Sequence, residues 1–140
     1  MSARDPDRSH IRLAAIAVSL IPLAYILLWC AMFIGELSGI WHPRLGDFDI
    51  GTAIQRSDTF ERAGLVVMLA GWLGGIVLCL KKQRIGRFAL VLGALAHIFV
   101  WLRITDGQYY SGQFGIIMIL LEMIAITLWQ LALPRARRIL

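Results

Sequence analysis

Residues 93–103 read GALAHIFVWLR, an apolar run that contains His97 and ends at Arg103. The interpretation of this run depends on the solvent that surrounds it. A soluble core can accommodate one histidine without further consequence. In a lipid bilayer the same residue requires a polar partner, because ionisable groups are costly to place in hydrocarbon. The first question is therefore whether the chain crosses a membrane.

The composition favours a membrane protein. Of the 140 residues, 59% are hydrophobic and 16% are charged, and the mean hydropathy is +0.71. An average soluble domain is about 45–50% apolar and about 25% charged. The excess lies in four apolar blocks, each close to the ~20 residues that a helix needs to cross ~30 Å of hydrocarbon. We predict an all-α integral membrane protein with four spans, at about 12–35, 63–80, 87–104 and 115–133.

Loop lengths and charges predict the topology. Short connections favour a single domain over residues 1–140, an up-down-up-down bundle in which consecutive helices are antiparallel neighbours. Most of the 14 Lys and Arg residues lie in the two tails and between spans two and three. By the positive-inside rule, both termini are expected in the cytoplasm and the loop 36–62 on the other side. The first block exceeds the ~7–15 apolar residues of a signal peptide, so we expect a retained span. The predicted location is a cell membrane, the inner membrane in a bacterium.

Basic clusters lie at the predicted cytoplasmic surface, where anionic lipid headgroups are the expected partners. The clusters comprise Lys81, Lys82, Arg84 and Arg87 between spans two and three, and Arg135, Arg137 and Arg138 after span four. Nucleic acid is not an expected partner, because the cations form short clusters at span ends. A homo-oligomer or a larger membrane complex is an open alternative.

His97 in span three and Glu122 in span four are predicted to touch. Each lies about seven residues, or about 10 Å of helix, from the predicted outer end of its span. Antiparallel neighbours would bring both groups to one depth in the outer half of the bilayer. Gly93 and Ala125 lie one turn away, and small residues are typical of helix faces that pack against protein. We predict a buried hydrogen bond or ion pair between His97 and Glu122.

Three more polar side chains are candidates for a pocket around this pair. Tyr25 and Glu36 share a face of span one, and Arg103 lies about two turns above His97. We expect Tyr25 beside the pair and Glu36 and Arg103 at the mouth of the pocket, in the outer half of the bilayer.

Glycines in spans two and three predict close helix packing. Gly64, Gly71 and Gly75 share one face of span two, and Gly93 lies one turn before His97. The absence of a Cβ allows a second helix to approach closely. We expect contacts within the bundle rather than a dimer interface.

The loop 36–62 begins with turn-forming residues and continues with a helical pattern. No regular element is expected in GELSGIWHPRLGDFDIG, residues 35–51, which is rich in glycine. The following residues, 52–64, are expected to be helical, with Ile54 facing the membrane. Ser57 or Asp58 is a candidate N-cap for span two, with Glu61 as its reciprocal partner.

No metal site is predicted in this loop, although it contains weak candidates. His42, Asp47 and Asp49 could bind a divalent cation. Two acids and one histidine in a glycine-rich loop are more often solvated.

Three classes of function are compatible with these features. No catalytic motif is present, which favours a non-enzymatic accessory or structural membrane subunit whose buried pair fixes the helix register. The second class is a small-ligand or proton-linked binding or transport module, since histidine titrates near neutral pH. The third is a haem- or quinone-binding oxidoreductase subunit. No cofactor is predicted, because bis-His haem ligation needs two facing histidines and only His97 lies within a span.

Overall fold

A computed structural model describes residues 6–46, 48–105 and 113–133. Within them the elements are α1 Pro6–Leu37, β1 Arg44–Leu45, β2 Phe48–Asp49, α2 Ile50–Arg56, α3 Thr59–Leu80, α4 Ile85–Thr105 and α5 Gln113–Ala132. Four helices, α1, α3, α4 and α5, are long and apolar enough to cross a membrane. The predicted helical class and its four apolar helices are therefore confirmed.

The long helices extend past the apolar blocks, because polar residues continue a helix beyond the segment that hydropathy detects. The start of α3 is the clearest case. The Asp58 side chain accepts from the Glu61 backbone N–H at 2.8 Å, and the Glu61 carboxylate accepts from the Asp58 backbone N–H at 3.0 Å. This reciprocal capping box begins the helix at Thr59. Of the two predicted N-caps Asp58 is the one observed, and Ser57 instead caps the end of α2.

Helices α3 and α4 pack closely along glycine faces. A Cβ on Gly71 would lie 2.7 Å from the Gly93 Cα, and one on Gly75 would lie 2.6 Å from Leu90 Cγ. Gly64 similarly faces Val100. Later positions on α3 contact earlier positions on α4. The two helices therefore run in opposite directions. The approach is closer than helices with larger side chains permit.

Helices α1 and α5 form a second extensively packed pair. The Trp129 indole N–H donates to the Ser19 hydroxyl at 3.0 Å, and that hydroxyl donates to the Ala15 carbonyl at 2.6 Å. Both Trp129 and Ser19 are fully buried. The contacts of α1 with α3 and of α4 with α5 are less extensive. The four long helices therefore form two tight pairs, α3–α4 and α1–α5.

The segment between α1 and α3 contains regular structure, and here two sequence predictions are wrong. An antiparallel hairpin pairs Arg44 with Asp49, although no regular element was expected over residues 35–51. Gly46, between the strands, has a φ of +59°, a conformation that glycine adopts without steric cost. Ile54 of α2 is buried in the protein core and not on the outer surface, because α2 packs against α1.

Large apolar side chains cover the outer faces of the long helices. Examples are Leu28 on α1, Val66 on α3, Leu92 on α4 and Ile124 on α5, all of them exposed. Monomeric water-soluble proteins rarely expose so much contiguous apolar surface. A surface in contact with lipid has this character.

Candidate functional site

The predicted contact between His97 and Glu122 is present. His97 Nδ1 lies 2.8 Å from Glu122 Oε1. His97 is 3% exposed and Glu122 is 0% exposed, so water does not screen their interaction. His97 belongs to the α3–α4 pair and Glu122 to the α1–α5 pair. Their hydrogen bond therefore crosses from one helix pair to the other.

Two aromatic residues complete a cluster around this bond. The Tyr25 ring centroid lies 5.6 Å from that of His97, with the ring planes tilted by 44°. The Trp72 indole lies close to the Glu122 carboxyl group without forming a hydrogen bond of normal geometry to it. We call these four residues the central cluster: Tyr25, Trp72, His97 and Glu122. Each of the four long helices contributes one of its members.

The central cluster contains two polar atoms whose hydrogen-bonding capacity is not used. In the described part of the chain, Trp72 Nε1 and Glu122 Oε2 are the buried side-chain atoms without a hydrogen-bond partner. Buried polar atoms are usually paired, so two unpaired atoms within one cluster are unusual. One atom is a donor and the other an acceptor. Glu122 Oε2 can therefore receive a proton or a further hydrogen bond without losing the bond from Glu122 to His97.

The His97–Glu122 bond can hold a proton on either side. Nδ1 of a protonated imidazole donates to a carboxylate, and a neutral carboxylic acid donates to an unprotonated Nδ1. Both arrangements are compatible with the 2.8 Å separation. The site can therefore serve as a structural tie or as a proton-binding group.

Glu36 and Arg103 do not complete the predicted pocket. Arg103 forms ion pairs with Asp58 and, at 3.5 Å from its Nε, with Glu61, at the start of α3. Glu36 contacts His42 and accepts a hydrogen bond from Gln55. Among the described residues, no hydrogen bond or ion pair connects either side chain to the central cluster. Of the five pocket candidates, the structure brings Tyr25, His97 and Glu122 together. Glu36 and Arg103 instead have charged partners closer to the helix ends.

A second ionisable cluster lies around His42, at the end of α1. His42 Nδ1 is 2.7 Å from Glu36 Oε2, and His42 Nε2 is 3.0 Å from Asp49 Oδ1. Hydrogen bonds to Asp49 and Glu36 hold the pKa of His42 above its ordinary value. A hydrogen bond from the Thr52 backbone N–H, and then that from His42, lower the pKa of Asp49 to about 2.

This second cluster includes two of the weak metal candidates. His42 and Asp49 bind each other directly, and both ring nitrogens of His42 have carboxylate partners. The described residues contain no group of three or more His, Cys, Asp or Glu side chains arranged to hold a metal ion. Asp47, the third candidate, lies outside the described residues, as do Arg135, Arg137 and Arg138.

Sequence reasoning missed Trp72 in the central cluster and Glu36 as a partner of His42. Trp72 follows Gly71, and its position on the packed face of α3 is the signal that could have identified it. The contact between Glu36 and His42 depends on a turn after α1, which no periodic pattern indicates.

Comparison with known proteins gives no match, whether with protein-family models, curated proteins or solved structures. The central cluster and the four apolar helices around it are therefore the features that point to a function.

Proposed function

We propose that the chain is a small polytopic membrane protein that serves as a non-enzymatic accessory or structural subunit. Its four long helices cross a cell membrane as an up-down-up-down bundle, with both termini in the cytoplasm. The observation that carries this proposal is the buried His97–Glu122 hydrogen bond between the two helix pairs. A bond in this position fixes how one pair docks against the other.

The energetics are consistent with a structural tie. An interhelical hydrogen bond in a membrane protein contributes roughly 0.6–2 kcal/mol. Removal of one partner costs more than the loss of that bond, because the other polar group stays buried without a partner. Glu122 is fully buried, so water cannot replace His97 as its partner. The pair therefore selects one register of the two helix pairs.

Two substitutions of Glu122 test this structural role. Glu122→Gln keeps a side chain of the same shape that still hydrogen-bonds to His97, whereas Glu122→Leu does not. We expect Glu122→Gln to retain cellular abundance and any co-purifying membrane proteins, and Glu122→Leu to lose both. Thr127→Val is a matched control, since Thr127 is exposed on the same helix. Full abundance of Glu122→Leu would contradict the structural role.

A second candidate function, a proton-linked binding or transport module, is supported by the unpartnered Glu122 Oε2. In this alternative the carboxyl group must change its protonation state. Glu122→Gln cannot release a proton at that position, so it would abolish pH-driven flux into liposomes at unchanged protein abundance. Such flux in the unsubstituted protein, and its loss in Glu122→Gln, would favour this candidate over the structural one. The haem or quinone alternative gains no comparable support from the central cluster.

Anionic lipid headgroups are the proposed partners of the loop between α3 and α4. Lys81, Lys82 and Arg84 are exposed there. The Arg12 guanidinium of α1 donates to the Leu80 carbonyl at 2.7 Å, which brings a further cation to the same loop. Anionic leaflets attract such clusters by roughly 1 kcal/mol for each cation near the surface. The proposal requires this loop to face the cytoplasm.

A further inference from the structure

The imidazole of His42 lies between two carboxylates, and this arrangement favours its cationic form. Nδ1 is 2.7 Å from Glu36 Oε2 and Nε2 is 3.0 Å from Asp49 Oδ1. Ionised carboxylates only accept hydrogen bonds, so both ring nitrogens must donate. Only the doubly protonated, cationic ring has two N–H donors. A neutral ring would direct a lone pair at one of the two carboxylates.

The three residues connect the end of α1 to the start of α2. Glu36 lies in the last turn of α1 and is 8% exposed. Asp49 is the N-cap of α2 and accepts from the Thr52 backbone N–H at 2.9 Å. The His42 ring also packs so closely on Gly51 of α2 that a Cβ there would overlap it. The imidazole is therefore in contact with both helices.

We propose that His42 is a proton-operated latch that holds α2 against the end of α1. With the ring protonated, both hydrogen bonds form and α2 is fixed. Loss of the proton removes one N–H donor and leaves Glu36 and Asp49 facing an uncharged ring. Ile50 and Ile54 are buried, and their apolar contacts remain. Deprotonation therefore loosens α2 without unfolding the bundle.

The charged groups around the His42 ring favour its protonated state, in which α2 is held. Glu36 faces it from α1 and Asp49 from β2. Arg44 of β1 approaches Asp49, at 3.8 Å, and is largely exposed. From α2 the described contacts are uncharged, namely Gly51 at the ring and Gln55, which donates to Glu36. Glu36 therefore has His42 as its only cationic partner among the described residues.

The pH range in which the latch opens follows from the shifted pKa values of His42 and Asp49. The pKa of His42 is raised, chiefly by its hydrogen bonds to Asp49 and Glu36. Its stabilisation is therefore complete below the ordinary histidine pKa of about 6.5 and is lost as pH rises through the raised value. The pKa of Asp49 is lowered to about 2, so this carboxylate stays ionised throughout the range in which His42 titrates.

Hydrogen exchange and histidine NMR on the full chain in lipid nanodiscs test the latch. After correction for the intrinsic pH dependence of exchange, we expect the protection of residues 50–56 to fall as His42 deprotonates. The decrease should be roughly tenfold for each unit by which the pKa of His42 exceeds its value in the unlatched chain. A His42 pKa at or below about 6.5, or protection independent of pH, would overturn the proposal.

Substitutions separate the latch from general effects of pH. His42→Gln should show at every pH the lower protection that the unsubstituted protein shows at high pH. Asp49→Asn keeps a side-chain oxygen for capping α2 but removes a charge, so it should shift the transition to lower pH. This variant also keeps the test decisive if His42→Gln fails to fold. His10→Gln, on an exposed histidine of α1, is the matched control and should leave the transition unchanged. A transition lost in His10→Gln, or unmoved in Asp49→Asn, would contradict the latch.

Discussion

At the scale of single residues, two histidines contact carboxylates in opposite surroundings. His97 and Glu122 are almost completely buried, whereas the His42 side chain is 42% exposed. In the buried pair, loss of one partner leaves a polar group in an apolar environment, which is a large penalty. At His42 water can replace a hydrogen bond lost by the ring or by the partly exposed Asp49, while Glu36 stays buried. We therefore expect fold stability to depend on His97 and pH response to depend on His42.

The two fully buried tryptophans provide a prediction at the same scale. Trp129 donates a hydrogen bond to Ser19, whereas Trp72 Nε1 has no partner. A Trp→Phe change removes similar apolar volume at both positions but a hydrogen bond only at Trp129. We expect Trp129→Phe to lower the free energy of unfolding by about 1 kcal/mol more than Trp72→Phe. Unfolding in mixed micelles measures the difference, and equal losses would contradict the assignment.

At the scale of helices, packing is dominated by the glycine faces of α3 and α4. The backbones approach so closely that Gly71 and Gly93 face each other directly. The hairpin and α2 depend instead on contacts between separate segments, such as the hydrogen bond from the Gly51 N–H to the Pro43 carbonyl at 2.9 Å. The long helices are thus expected to be more rigid than α2.

Two glycines of α3 give a matched pair of substitutions. A Cβ on Gly71 would lie 2.7 Å from the Gly93 Cα, whereas one on Gly74 meets nothing within 4 Å. Gly71→Ala forces α4 to move away, and overpacking of this kind typically costs about 1–3 kcal/mol. Gly74→Ala should leave stability unchanged or raise it by up to about 1 kcal/mol, through helix propensity. The same unfolding assay measures both, and a larger loss at Gly74 would contradict the packing.

The sequence indicated several of these local features. The apolar blocks predicted the four long helices, and the spacing of Asp58 and Glu61 predicted the capping box. Equal depth in neighbouring spans predicted the contact between His97 and Glu122. These features depend on hydrophobicity and short spacing, which a single sequence displays directly.

Other features depend on contacts that no local pattern encodes. Ser19 and Trp129 pair α1 with α5 across 110 residues of sequence. Arg103 has a long side chain that can reach several acids, and the choice of Asp58 and Glu61 required the relative position of α3 and α4. The hairpin depends on a positive φ at Gly46 and on two very short strands, which are too short to give an alternating pattern in the sequence. Tertiary geometry decides each of these.

At the scale of the whole molecule, the proposed orientation assigns a side of the membrane to each loop. Single cysteines at Lys81 and Ala53, in a background without Cys30 and Cys79, test it with a membrane-impermeant thiol reagent. We expect Lys81→Cys to react only after the cells are opened, because basic loops remain in the cytoplasm. Ala53→Cys, on α2, should react in intact cells. The reverse pattern would contradict the orientation and, with it, the proposed binding of anionic headgroups in the cytoplasmic leaflet.

The central claim is that His97 and Glu122 join the two helix pairs, and a double-mutant cycle with His97→Leu and Glu122→Leu tests it most directly. Free energies of unfolding are measured in mixed micelles, with His97→Leu plus Thr127→Val as the control pair. We predict a coupling energy of about 1–2 kcal/mol, with the double variant less destabilised than the sum of the single ones. Losses that add to within about 0.5 kcal/mol, as expected for the control pair, would contradict the claim.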